Sequence, residues 1–411
     1  MIIDTLSIIS CIIITIFMVV SVVANPFFRK ADKADDSDAS HSVDDSDMPQ
    51  LTVLVLANNN AQALDANLPL ILTQDYAPGY EVIVVGEKGD LPTETVVEQY
   101  ASKGHLYATY IPHRSLFMSK SKLAVALGVK AAHNEWIVMV NADCRPQSDL
   151  WLKTLASRMD NDANLVIGYS NYDSASRGYY RFARLRTSCY MLRRALRSTA
   201  YRVNGTNIAF RRSEFISQEG YRGNLQLVNG EYDFIINKYA QRGQTRVVTD
   251  ENVWIREDSP TSKQWHYRDV CYAHIRKFLS RSAAPRFLFN FDMTMMYANY
   301  AVLIASIIVA AMTQRWILLA TASLYIVLTI VLRSLIARKV YIKYGEDIPA
   351  WRTVFYELSI VWRQLSTNIR YSRADQYDFT THKLYHPSQA LLASIWRCGR
   401  CWFTNLQFVI R

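Results

Sequence analysis

Residues 2–24 are almost wholly apolar, broken only by Asp4 and small hydroxyl side chains, and further apolar runs at 293–312 and 317–332 are joined by Thr313, Gln314, Arg315 and Trp316. Each approaches the ~20 residues a helix needs to cross about 30 Å of hydrocarbon. The pattern predicts three membrane helices, the last two as a tight hairpin. Between them, strand and helix patterns alternate: a strand at 51–56, a helix at 62–73, strands at 81–85 and 106–111, a helix at 120–132 and a strand at 136–140. That repetition predicts an α/β fold with a mostly parallel sheet and helices on both faces. Trp136, Ile137, Val138, Met139 and Val140 run without polar alternation, as a strand covered on both faces does, and lead straight into Asn141, Ala142 and Asp143. Carboxyl ends of such strands are where α/β proteins bind ligands, which makes Asp143 the first candidate for a metal or nucleotide diphosphate site.

After Asp143 the regularity loosens into a helix near 149–159 and a strand at 165–169. The segment 177–202 then holds eight Arg and no acid, with aromatic and aliphatic residues interleaved at helical spacing. Two readings stay open for it: a surface helix, or an interfacial helix on anionic lipid or funnel for a phosphate-bearing acceptor. A helical run at 231–241 and a short strand at 245–248 follow. Residues 350–369 carry apolar positions near 3.6 spacing without a long hydrophobic block, which predicts a helix lying on the membrane surface.

The flanks of the apolar runs set a topology. A cleaved signal peptide would carry positive charge ahead of residue 2, whereas Arg29, Lys30 and Lys33 follow the first run, and this favours an uncleaved anchor. Arg333, Arg338, Lys339 and Lys343 follow the hairpin. Both ends therefore predict a cytoplasmic middle segment and tail in a multi-pass inner-membrane protein. Residues 31–47 are Asp- and Ser-rich with no core-forming composition, and predict a flexible acidic linker. The formal net charge of +10 suits a domain that lies against anionic lipid or handles phosphates. Nucleic acid is not expected as a partner, because no platform of interleaved basic and aromatic residues is present. Six scattered cysteines fit a reducing compartment, and Cys398 and Cys401 read as incidental thiols rather than a zinc or redox pair.

Several motifs in order resemble a known group. Residues 51–60 end a first strand in Asn58, Asn59 and Asn60; Gln74, Asp75 and Tyr76 precede the second strand; Ser121 and Lys122 lead a helix into the strand before Asp143. With the carboxylates at Glu231 and Asp233, the chain resembles a membrane-anchored glycosyltransferase of family 2, with the GT-A fold, over about 51–279. The resemblance implies a nucleotide-sugar donor held through Mg2+ or Mn2+, since these hard cations take oxygen ligands and retain phosphate and water in the shell. It assigns Asp143 to the metal, and Asn141 to the donor at the position of the motif's first acid. Asn59 and Asn60 would stand beside ribose and base, Glu87 would meet the base, and Lys122 would contact phosphate. Glu231 would be the base that deprotonates the acceptor, with Asp233 orienting the loop or acceptor. A plain helix cap is the competing reading for Glu231. Gln264, Trp265, His266, Tyr267 and Arg268 resemble the acceptor-gripping element of processive members in altered order; an interfacial Trp and Tyr pair is the alternative. Asn204, Gly205 and Thr206 match a glycosylation acceptor but read as a turn.

The chain then divides into an anchor at 1–28, an acidic linker at 29–50, the transferase domain at 51–279, a helical hairpin at 287–333 and a cytoplasmic tail at 334–411. The expected function is transfer of a sugar to a lipid-linked or glycan acceptor at the membrane. The alternative is a degenerate nucleotide-sugar binding or scaffold subunit, motivated by Asn141. A transport role is disfavoured because three nearly apolar helices offer no pathway.

Overall fold

The structure, a computed structural model, describes residues 5–28, 48–102, 104–113, 115 and 118–381. Residues 29–47 of the acidic linker, with Arg29, Lys30 and Lys33, lie outside the described residues, as do Cys398 and Cys401. Helix α1 (Thr5–Ala24) precedes the α/β domain. The domain begins with β1 (Leu51–Leu56), α2 (Ala61–Leu72), β2 (Tyr80–Glu87), α3 (Leu91–Gln99), β3 (Leu106–Ile111), α4 (Lys120–Ala131) and β4 (Trp136–Asn141). It continues with β5 (Cys144–Pro146), α5 (Trp151–Ala156), β6 (Leu165–Gly168), β7 (Ser170–Tyr172), α6 (Gly178–Arg197), β8 (Ile208–Arg211) and α7 (Arg212–Ser217). Helix α8 (Glu231–Tyr239), β9 (Thr245–Val248), β10 (Ile255–Glu257) and α9 (Ser262–Ile275) complete it, and α10 (Ala283–Met312), α11 (Trp316–Lys343) and α12 (Arg352–Arg373) follow.

Seven strands form one sheet in the order β3-β2-β1-β4-β8-β6-β9, and β5, β10 and β7 form a smaller one. The large sheet is parallel except at β8, which runs antiparallel to both β4 and β6. Alternation along the strands sorts two cores: Leu54, Ile83, Ile137 and Met139 face α4 and α6, while Val53, Val82, Val138 and Val140 face α2 and α5. Gly128 of α4 is required by close approach, since a Cβ there would come 2.1 Å from Leu54 Cδ1. The predicted elements are present. Helix α3, β8 and the small sheet were not predicted, because three- and four-residue strands carry too little periodicity to read and α3 owes its start to an Asp90 cap rather than to an apolar stripe.

Helix α6 corrects the surface and interfacial readings of the arginine-rich segment. It is a buried core helix, with Tyr180, Phe182, Leu185 and Leu192 packed inside. Its buried arginines meet acids from distant segments: Arg181 faces Glu346, Arg184 faces Glu257 and Arg186 faces Asp292. A sequence window cannot show this, because every partner lies outside it.

Helices α1, α10 and α11 are long and apolar enough to cross a membrane. They pack on one another through Ile14, Leu303, Ala310, Leu318 and Ala322, leaving Ile8, Ile12, Ile308, Leu324 and Val327 facing outward. Arg333 is not the free flanking charge its position suggested. It is 0% exposed, and its guanidinium donates to Glu357 Oε2 at 2.7 Å and to the Ser21 carbonyl at 2.6 Å, and lies 3.6 Å from Asp292 Oδ1. Asn25 donates to the other Glu357 oxygen at 2.8 Å. Asp292 also pairs with Arg186, so one ionic network joins the three apolar helices, α12 and α6 of the α/β domain. Helix α12 buries Thr353, Val354, Glu357 and Ile360 and exposes Phe355, Trp362, Leu365 and Ile369 on its outer side.

Candidate active site

The carboxyl ends of β1, β2 and β4 open on a cleft of about 230 Å³ lined by Leu56, Asn58, Asn60, Glu87, Lys120 and Asp143 among others. A second cleft of about 500 Å³ lies between α6, α8 and α9. Asn141, Asn229 and Glu231 line both, so the two volumes meet at these residues. A site that receives two reactants needs such a junction.

In the first cleft, Lys120 Nζ donates to both Glu87 oxygens at 2.7 and 2.8 Å, and His113 Nδ1 lies 2.5 Å from one of them. Hydrogen bonding to Lys120 holds the Glu87 carboxyl below its ordinary range, with His113 adding to it against the opposing effect of burial. Asn60 is the residue before α2 and lines the cleft, as does Asn58. Asn59 adopts the left-handed region at φ 49° and does not line it; the turn sends its side chain to solvent, where it bonds Asn58.

Lys122 is also displaced from its expected role. Its side chain is fully buried, and Nζ donates to the carbonyls of Asn224 and Leu227, both at 2.6 Å, under the Phe234 ring. Burial pulls its ammonium down to about 8. Lys122 therefore braces the loop that leads to Glu231, and Lys120, two residues earlier, is the lysine on the cleft. Lys122→Met should lower thermal stability by about 2–4 kcal/mol, through two orphaned buried carbonyls, and leave donor affinity largely intact. Thermal unfolding and equilibrium donor binding on one preparation check this; lost affinity at unchanged stability would place Lys122 on the phosphate after all.

Asp143 closes the loop after β4. Burial pushes its carboxyl up to about 6, Glu257 and Asp258 add to this, and Arg268 and Cys144 pull the other way. The nearest Arg268 nitrogen, Nη2, is 3.9 Å away, while Nη1 of the same guanidinium binds Glu257, which also binds Arg184. A carboxylate short of positive charge at a cleft edge suits a hard cation. Among the described residues no three His, Cys, Asp or Glu side chains are grouped to hold a metal alone. A divalent ion here would need the phosphate oxygens of a bound nucleotide, which fits ions that keep few protein ligands. Asn141 is not arranged as a ligand: its Oδ1, the one atom suited to such an ion, accepts from Tyr232 Oη at 2.6 Å. That bond ties the end of β4 to α8.

Glu231 is the first residue of α8, behind Gly230 at φ 93°. A Cβ on Gly230 would lie 2.9 Å from Phe234 and 3.2 Å from Ile275, so both conformation and space call for glycine. The Oε2 atom of Glu231 is buried with no hydrogen-bond partner. Burial raises the carboxyl above its usual range, opposed by its own backbone N–H and Lys122. A cap would have spent its oxygens on the first-turn amides; a buried, unpartnered oxygen at a junction of clefts has capacity left for a proton. Asp233 turns the other way: its Oδ1 accepts from Val203 N at 3.2 Å and Arg202 Nε at 3.4 Å, fixing the loop before β8.

From α9, Gln264, Trp265, Tyr267 and Arg268 line the larger cleft. Trp265 is buried and stacks on Tyr180 at 4.2 Å, so it is not an interfacial anchor. Residues 204–206 form a turn bound to Arg184, as expected. Sequence reasoning did not assign Asn58, Lys120 and Asn229 to the clefts; each lies inside or beside a quoted motif, and a linear pattern does not tell which polar residue at an element end faces the opening.

A family model described as glycosyl transferase family 2 matches residues 52–217. No curated protein matches the sequence. Among solved structures, the mannosyltransferase PcManGT from Pyrobaculum calidifontis, in complex with GDP-Man and Mn2+, is similar over 82% of this chain and 98% of its own, at 18% identity and a TM-score of 0.45. Residues 1–349 of TarS from S. aureus, with UDP-GlcNAc, are similar over 77% and 92% of the two chains, at 14% identity and a TM-score of 0.39. The match covers most of β1, all of β2 to β4, Asp143 and Lys120, and it marks residues 52–217 as a family 2 glycosyltransferase domain of GT-A fold, in a chain with three helices long and apolar enough to cross a membrane.

Proposed function

We propose that this glycosyltransferase moves a sugar from a nucleotide donor to a lipid-linked or glycan acceptor at the cytoplasmic membrane face, in a divalent-metal-dependent reaction. The observation that carries the reading is Glu231 Oε2, buried, unpartnered and placed where the two clefts meet. The smaller cleft takes the nucleotide, with Asn58, Asn60, Glu87 and Lys120 around base and ribose. The larger takes the acceptor, among Trp265, Tyr267 and Tyr272.

A cation on Asp143, Mg2+ or Mn2+, would supply Lewis-acid stabilisation to the departing diphosphate. Glu231 accepts the proton of the acceptor hydroxyl as its oxygen bonds to the anomeric carbon, and the bond from that carbon to the diphosphate breaks. The proton stays on Oε2 until the product leaves. Asp233 and Lys122 hold the two loops that keep this carboxylate at the junction. Arg268, which reaches Asp143, Glu257 and Tyr172, adds positive charge beside the leaving group.

Asp143→Ala should remove metal-stimulated donor binding. Calorimetric titration of a panel of UDP, GDP and dTDP sugars with and without Mn2+ measures it. Absence of donor binding or hydrolysis by the unaltered protein across that panel would end the enzyme reading in favour of a scaffold role.

A further inference from the structure

Around Trp265, which lines the larger cleft, three helices bring basic groups together. Ser176 and Ser259, ahead of α6 and α9, are hydrogen bonded at 2.7 Å, and Tyr180 bonds Ser262 at 3.3 Å, so the starts of the two helices are held side by side. Arg177 lies against the Tyr180 ring at 5.7 Å, and that ring stacks on Trp265. From α12, the Arg363 guanidinium sits 3.9 Å over Tyr179, whose ring is 6.4 Å from Trp265. Arg370 lies two turns further along the same side of α12. His266 is at the centre: burial first, and then Arg370, Arg363 and Arg177 together, lower its pKa. Asp269 answers part of this charge, since it feels Arg363 and accepts from Trp265. Among the described residues, Arg177, Arg363 and Arg370 form no close ion pair with a carboxylate, in contrast to the buried arginines of α6.

The surroundings of this patch are as informative as its charge. Phe355, Trp362 and Ile369, exposed on α12, each fall next to the arginine row in the helical net, and α12 is joined to the apolar helices through Glu357. On the other side, Gln264, Trp265 and Tyr267 open into the cleft that reaches Glu231. Apolar stripe, basic cluster and polar cleft thus follow one another in that order.

We propose that Arg177, Arg363, Arg370 and His266 hold the phosphate of a lipid-linked acceptor, with its hydrocarbon chain along the exposed stripe of α12 and its head group entering the cleft past Trp265. Guanidinium groups suit the task, since they bind phosphate oxygens through paired donors. The inference rests on the reading of the larger cleft as the acceptor site, and it narrows the acceptor class to a hydroxyl-bearing head group joined through phosphate to a lipid.

Full-length protein in neutral detergent tests it with farnesyl phosphate, farnesol and phosphatidylglycerol as probes, and with nucleotide-sugar binding measured in parallel. Farnesyl phosphate should bind about tenfold more tightly than farnesol, and Arg363→Gln with Arg370→Gln should remove that preference while farnesol and donor binding stay unchanged. Arg177→Gln, on another helix, should weaken farnesyl phosphate in the same sense. Equal binding of farnesol and farnesyl phosphate, or farnesyl phosphate binding unaffected in all variants, would overturn the proposal. Displacement by phosphatidylglycerol at equal mole fraction would also overturn it, assigning the cluster to bulk anionic lipid instead. Loss of donor binding by the unaltered protein would strike the transferase reading itself and is read separately.

Discussion

Glu231→Gln is expected to lower turnover by about 10²–10⁴ with donor affinity unchanged, because it removes a proton acceptor and keeps the shape and hydrogen-bonding reach of the side chain. The amide fits where the carboxylate stood, at the start of α8 behind Gly230, so the loop geometry should survive. The pH dependence gives a second readout. Burial raises the Glu231 carboxyl above its ordinary range, so the active, deprotonated form should be lost at a higher pH than the ~4.3 of a free glutamate. Turnover at saturating donor and metal should therefore rise with pH through that raised value. Lys122 opposes the shift, so Lys122→Met should move the acid limb further up. Stopped donor-transfer assays across pH, with donor binding by calorimetry, check both; an unchanged turnover in Glu231→Gln would leave the carboxylate a helix-start residue with no part in the chemistry.

Breaking the network under the apolar helices should have the largest effect on stability. Arg333→Ala would leave Glu357 and Asp292 buried with one positive neighbour fewer, at a cost of about 3–5 kcal/mol. Glu357→Ala should cost a similar amount by orphaning Arg333 and Asn25. Replacing both, Arg333→Met with Glu357→Leu, should recover part of the loss, because neither charge is then left alone. Melting midpoints in detergent for the single and double variants form the cycle, and a midpoint for Arg333→Ala equal to that of the unaltered protein would show that the network contributes nothing. The consequence reaches the active site. Arg186 of α6 shares Asp292 with Arg333, and α6 also positions Arg184 on Glu257 beside Arg268 and Asp143. The single variants should therefore reduce turnover as well as stability.

The sheet was legible because both-face burial writes continuous apolar runs at β1, β2 and β4, and these runs end where the ligand clefts open. Asp143 was singled out for the same reason, as the carboxylate that follows an apolar run, whereas Glu231 and Asp233 were singled out by the family resemblance. Lys122 was misplaced because a lysine at a helix start looks the same whether it faces solvent or two buried carbonyls. Helix α6 misled for a related reason, since eight arginines without a local acid read as surface until Glu257, Asp292 and Glu346 arrive from other parts of the fold.

The amino-acid sequence by itself determined the three apolar helices, the α/β alternation and the carboxylates that end its elements, because those follow from period and length along one stretch of chain. Only the tertiary structure decided which lysine lines the smaller cleft, that Glu231 keeps an unpartnered oxygen where two clefts join, and that Arg181, Arg184 and Arg186 of α6 meet acids whereas, among the described residues, Arg363 and Arg370 of α12 form no ion pair. Each of these depends on pairing between residues tens to hundreds of positions apart. The free energy of a buried or exposed charge is set by such partners and not by its neighbours in sequence.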